Sequence, residues 1–366
     1  MFAGNSQVLA SVIEERHVDL LLARLQHLLP FSVPLYRRIQ YHQRHPNPSS
    51  ARLFAAVTTK GPVAESRRLD LWLQDGHSNT EDIINSADDE PWIAAHMDMS
   101  NAGQTQVFLF ASWEIKPSNS EPFTLTSTTQ DIRQLLVACV FKYMWKNLVP
   151  QVPLSPSTEW LTLKETGKYL SIPYSRSKSI FGSIHESIWP YFPADSISRT
   201  DSNYCKYIFA PTNAAAAPSN DSPLSVRLPR GYTFGSMREQ DLQMVLDRSP
   251  IPRTIRTLRE AVNVALHVDC HTEPVGWGFL SKDASLSSVH IEPEHRGKGL
   301  GACVSQELLR RLSREFDSKA EDGWGHADVS ANNIASRKVM EKLGGQVRWT
   351  VSWIEVELER AVQHIT

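Results

Sequence analysis

The chain has 366 residues, too many for one typical domain and comfortable for two. Its 41 % hydrophobic and 21 % charged content is that of a globular protein, and a net charge of −2 without a long basic block gives nucleic-acid binding no electrostatic footing. No apolar run reaches membrane-spanning length, and Cys139, Cys205, Cys270 and Cys303 lack metal or disulfide spacing, so free thiols in a reducing, cytoplasmic setting and no metal centre are expected.

In chain order, residues 8–29 carry helical spacing (Val12, Ile13, Leu20, Leu21, Leu25, Leu28), with Glu14, Glu15 and Asp19 arguing against a mitochondrial presequence. Residues 53–58 and 69–73 read as strands, 74–91 as an acidic loop and 106–113 as a central strand. Residues 131–147 carry a helical stripe from Ile132 to Met144; 160–172 and 181–189 read as further helices, and 204–209 as a short strand. The Pro- and Ala-rich run from Pro211 to Pro223 reads as a linker. The expected organisation is therefore an α/β domain over 1–210, a linker over 211–227 and a second domain over 228–366.

In the second domain, Ser236-Met237-Arg238-Glu239 is a capping box opening a helix to about Asp247, and 254–261 is another helix. Strands follow over 264–268, 275–280 and 286–291. Then comes His295-Arg296-Gly297-Lys298-Gly299-Leu300-Gly301, opening into an amphipathic helix with Val304, Leu308, Leu312 and Phe316 on one face. Strand, glycine turn and helix start build an anion cradle. The first helical amides lack intrahelical acceptors, and the helix dipole adds positive charge there. Gly297, Gly299 and Gly301 allow positive φ and close approach, while Arg296 and Lys298 bring full charges. A P-loop needs Gly-x-x-x-x-Gly-Lys-Ser/Thr and a dinucleotide fold needs Gly-x-Gly-x-x-Gly; neither spacing is present.

Arg-Gly-x-Gly-x-Gly after a strand ending in Ile291-Glu292-Pro293-Glu294 resembles the pyrophosphate loop of the GCN5-related N-acetyltransferase (GNAT) superfamily. Asn332-Asn333-Ile334-Ala335-Ser336, followed by Glu341-Lys342-Leu343-Gly344, is similar to that superfamily's second coenzyme-binding segment. Pro274-Val275-Gly276-Trp277 and Pro293-Glu294-His295-Arg296 resemble more narrowly the glycine N-acyltransferase and FR47-like group. The likeness spans residues 230–358 and implies a C-terminal GNAT fold, a mixed, mostly antiparallel twisted sheet flanked by helices. A fainter match (Leu29-Pro30, Leu35-Tyr36, His42, Asn47-Pro48) reads the first half as a degenerate GNAT-like copy without a coenzyme loop.

The resemblance implies acyl transfer from acyl-CoA or acetyl-CoA to a small-molecule amine such as an amino acid, by direct attack. The alternatives are a protein or peptide N-acetyltransferase and a non-catalytic CoA-binding protein. By resemblance, Arg296, Gly297, Lys298, Gly299, Leu300 and Gly301 hold the pyrophosphate. Val289, His290 and Ile291 present backbone to the pantetheine, with the Ile291 amide at the oxyanion, and Asn333 and Ser336 flank the CoA arm. The base expected early in the fourth strand falls on Ser285 or near Ser287. A serine is too weak a base alone, so Asp283, His290 and Glu292 are candidates behind it. The tyrosine acid expected before Glu-Lys-Leu-Gly is Met340. His267, His271, His326, Asp269 and Asp328 lack metal-site spacing. Sequence leaves the acyl chain, the acceptor and the oligomeric state open.

Overall fold

The structure, a computed structural model, describes residues 7–47, 49–59, 65–74, 90–100, 102–115, 127–166, 173–211, 227–249, 251, 253–269, 271–316 and 323–363. The chain folds into two compact units. One comprises Met1–Pro156, Ser171–Ser202 and Val351–Thr366; the other comprises Ser157–Leu170 and Asn203–Thr350. The C-terminal sixteen residues thus pack in the first unit rather than with the 228–366 segment, and nearly all of the 211–227 linker lies outside the described residues.

The first unit contains β1 (Gln7–Val12), α1 (Val18–Gln26), α2 (Val33–Arg44), β2 (Ala51–Thr59), α3 (Glu65–Gln74), β3 (Trp92–Asp98), β4 (Thr105–Ala111), α4 (Ser127–Tyr143) and β5 (Lys178–His185). Its strands run β1-β2-β3-β4-β5, and β5 pairs next with residues 351–357 of β12 (Gln346–Glu357). Among the described pairs only β4 and β5 are parallel. One core cluster gathers Phe54, Val107, Phe141, Phe181, Ile354 and Leu358; another gathers Leu21, Leu25, Ile39, Leu53 and Phe110.

Three expectations are corrected here. Residues 7–12 form a strand before the helix, because Leu9 pairs with Val57 and buries its side chain. Residues 69–73 lie in α3: Leu69 and Leu73 are four apart on one buried face, while Leu71 is exposed. Residues 181–185 are strand, in β5, buried on both faces so that no alternation shows. The acidic loop over 74–91 falls mostly outside the described residues.

The second unit contains α5 (Thr158–Glu165), the 203–209 part of β6 (Ile197–Phe209), β7 (Tyr232–Gly235), α6 (Leu242–Arg248), α7 (Ile255–Glu260), β8 (Asn263–Val268), β9 (Gly276–Leu280), β10 (Leu286–Ile291), α8 (Leu300–Phe316), β11 (Gly325–Ser330) and α9 (Ile334–Lys342). The antiparallel order is β7-β8-β9-β10, and β6 pairs antiparallel with β11. The Ser236 capping box does not form: Arg238 caps a 3₁₀ turn through Asp241, and α6 starts at Leu242. Thr254 does cap α7, its hydroxyl accepting from the Thr257 amide. Helices α6 and α7 cover one face of the sheet, with Leu242, Val245 and Leu258 on Trp277 and Phe279. On the other face α8 lies directly on the strands: a Cβ at Gly278 would meet Leu308 Cδ1 at 2.6 Å and Val304 Cγ1 at 3.0 Å. With α3 set apart, each unit repeats one order: strand, two helices, three antiparallel strands, helix, strand.

Candidate active site

Strand β10 is an edge. Among the described residues it pairs with β9 on one side only, and β11 belongs to a different ladder. The two strands are tied at their base, where His326 Nε2 on β11 donates to the Asp283 carbonyl at 2.7 Å. Above that tie β10 bulges between Ser287 and His290, with Ser288 at φ +50°. Beyond the bulge the Glu292 amide donates to Val275 of the neighbouring connection. Alternation then turns the N–H and C=O of Ile291 and Val289 toward the open edge. Arg296 Nε donates to the Ile291 carbonyl at 2.8 Å.

The edge leads into the glycine turn. Gly297 and Gly299 hold φ of +78° and +76°, and Gly301 does not: it is already in the first turn of α8. A Cβ on Gly297 would meet nothing within 4 Å, and one on Gly299 would meet only Lys342 Nζ, at 3.4 Å. The Ala302 and Cys303 amides fold back on the Gly299 carbonyl. Leu300 and Gly301, ahead of them, have amides with no intrahelical acceptor. Lys298 Nζ donates to the Tyr232 hydroxyl at 3.1 Å, and that hydroxyl lies 2.8 Å from His295 Nδ1, so the loop's lysine is fixed from β7. Lys342, from the end of α9, is a cation at the loop that the sequence signals only through its place in Glu-Lys-Leu-Gly. Bare amides, open space at left-handed glycines and two ammonium groups suit a diphosphate. The equivalent connection in the first unit, residues 112–126, contains no glycine.

Asn333 caps α9, its side-chain oxygen accepting from the Ser336 amide at 3.1 Å, which puts both at the helix start. Met340 is buried. The three candidates for base handling part company. Ser287 Oγ donates to the Phe279 carbonyl at 3.2 Å and is occupied within the sheet. His290 stacks on Trp277, ring centroids 4.5 Å apart and 17° between planes, with Nε2 3.4 Å from Glu292 Oε2 but not aligned for a hydrogen bond. Ser285 Oγ donates to Asp283 Oδ1 at 2.7 Å. Cys303 is buried, and burial raises its thiol pKa, so the helix dipole does not make it reactive.

Of the His and Asp residues without metal spacing in the sequence, the structure unites His326 and Asp328 with Asp283, ligand atoms within 4.8 Å. Lys206 supplies the cation there. Its Nζ lies 2.6 Å from Asp328 Oδ1 and 3.2 Å from His326 Nδ1, and Lys206 and His326 are fully buried. Burial, then the Lys206 charge, pushes the His326 pKa down to about 4.

The acyl-CoA N-acyltransferase verG N-terminal domain family matches residues 7–207, and the FR47-like protein family matches residues 269–354. No curated protein matches the chain. Among solved structures, a Drosophila protein aligns at 14 % identity with a TM-score of 0.56, covering 96 % of this chain and 99 % of that chain. A tandem GNAT protein from the clavulanic acid biosynthesis pathway aligns at 11 % identity with a TM-score of 0.46, covering 96 % and 99 %. At 14 % identity the likeness to the Drosophila protein bears on fold, not on activity.

Proposed function

Because this chain belongs to the acyl-CoA N-acyltransferase verG family, a GNAT-superfamily group with an FR47-like relation here, we propose that it moves an acyl group from acyl-CoA to the amine of a small molecule. The observation that carries the reading is the left-handed Gly297 and Gly299 pair at the start of α8, opening beside the free edge of β10. The coenzyme brings an activated thioester carbonyl. On this reading the amides of Leu300 and Gly301, with Lys298 and Lys342, hold its diphosphate. The edge backbone of Val289 and Ile291 orients the pantetheine, and the inward Ile291 amide faces the developing oxyanion. Asn333 and Ser336 border the arm. Arg296 braces the strand end through its Nε bond to the Ile291 carbonyl and turns its remaining guanidinium N–H groups to the diphosphate. The glycine turn lies beyond the 211–227 run, and the sequence of residues 1–210 has no Gly-x-Gly spacing of this kind.

The test is native mass spectrometry of the full chain with acetyl-, benzoyl- and longer acyl-CoAs. It is followed by thiol-release assays against amino acids, polyamines and amino sugars. Retention of one acyl-CoA per chain and CoA release with one amine class is expected. Absence of coenzyme binding at saturating concentration overturns the assignment.

A further inference from the structure

On the α6/α7 face of β10 lies a set of buried charged groups that coenzyme binding leaves unused. Ser287 stands opposite Phe279, which packs on those helices, so Ser285, two residues earlier, shares that face. Ser285 retains 8 % exposure and Asp283 only 2 %. Both the Ser285 hydroxyl and its amide donate to Asp283 Oδ1, at 2.7 and 3.2 Å. The turn is held by Ala284 at φ +59°, which folds the carboxylate back beneath the serine.

Charged and titratable groups surround Asp283 from each element packed on it. Arg253, in the connection between α6 and α7, lies within Coulombic reach of the carboxylate. From β11, His326 fixes the Asp283 carbonyl through Nε2. That bond places the His326 proton on Nε2 and leaves Nδ1 to accept from Lys206 of β6, whose charge is in turn met by Asp328. A histidine so depressed stays neutral at physiological pH, so it props the Asp283 turn and takes up no second proton. Ser285 thus ties Asp283 Oδ1 to the face that α6 and α7 cover.

Resting on the acyl-transfer reading, we propose that Asp283 is the proton acceptor of the reaction and that the Ser285 hydroxyl connects it to the incoming amine. The amine nitrogen bonds to the thioester carbonyl carbon, and the carbon–sulfur bond breaks with its electron pair leaving on sulfur. Before that attack the bound ammonium gives one proton to Ser285 Oγ while the serine's own proton passes to Asp283 Oδ1, which frees the nitrogen lone pair. After it the nitrogen's surplus proton goes to the released thiolate, giving amide and free CoA, and Asp283 sends the first proton back through Ser285 to solvent. Ser285 is the group that touches substrate; Asp283 acts through it, with Arg253 and His326 as its positioning residues.

The full chain is assayed with acetyl-CoA and the fastest amine of the panel above, and with hydroxylamine, which is already neutral near neutral pH. Wild type, Ser285→Ala, Asp283→Asn and the double variant D283N/S285E are compared, with CoA affinity measured by calorimetry. The two single variants are expected to lose about 100-fold in kcat with the basic amine. They should lose little with hydroxylamine, recover as pH rises toward the amine's own pKa, and bind CoA as wild type does. D283N/S285E, which returns a carboxylate to the same face, is expected to regain activity. Wild-type kcat and pH profile in S285A overturn the proposal, as do equal losses with both amines, the mark of a merely structural role. A wild type that binds CoA but acylates no amine overturns the acyl-transfer reading itself.

Discussion

Replacing Gly297 by Ala separates the fold of the glycine turn from its use. At φ +78° an L-residue costs about 1–2 kcal/mol. The added methyl meets nothing within 4 Å, so no clash adds to that cost. If the loop keeps its shape, the strain appears in stability, and Tm falls by about 2–4 °C per kcal/mol for a unit of this size. If the loop relaxes instead, the same energy appears as a roughly 5–30-fold rise in the Kd for CoA. In either case the methyl group enters the space assigned to the diphosphate, so Kd is expected to rise by at least about tenfold. Gly301→Ala is the control, with no left-handed φ and a Cβ at an ordinary 3.5 Å from Val339. There the helix gains about 1 kcal/mol of propensity and Tm should hold or rise. Calorimetric titration with CoA and thermal melts read both quantities. A G297A protein with lowered Tm but wild-type CoA affinity would refute the cradle.

Lys206→Met leaves the buried Asp328 carboxylate without its cation and should destabilise the second unit by about 3–5 kcal/mol, read by urea denaturation. The double variant K206M/D328L should recover most of that; equal loss in both would show that shape rather than charge matters there. His326 yields a pH dependence. Its folded pKa, down to about 4, lies below the ordinary 6.5, so the unfolded chain binds the extra proton between these values. Stability should therefore fall as pH drops from about 6.5 to 4, by up to about 3 kcal/mol. A denaturation series in which His326→Gln keeps the wild-type slope across that window would rule this out.

Local chemistry makes the glycine-turn side of the proposed site readable. The glycine turn, the α8 stripe, the Asn333 cap and strands β8 to β10 each announce themselves within a dozen residues. Segments buried on both faces do not. Every residue of Trp92–Asp98 is buried, so β3 shows no alternation, and β5 reads as helix for the same reason. Leu69, Leu71 and Leu73 alternate like a strand, yet form α3 because helical spacing buries two of them together. The charged cluster is illegible in sequence because its members meet only through strand pairing: Lys206 and His326 are 120 positions apart. Ser285 is visible as a substitution for an acid and the turn over Lys282, Asp283 and Ala284 is legible too, but the bond between Ser285 and Asp283 depends on the left-handed φ of Ala284, which an alanine does not signal.

Two strands, β6 and β12, each divide their residues between the compact units. Severing the chain near residue 211 would strip Ile354, Val356 and Leu358 from a core they help to fill, and would leave β11 without its ladder neighbour. Neither severed piece would hold every strand that its own core or ladder uses, so either half expressed alone should fold incompletely.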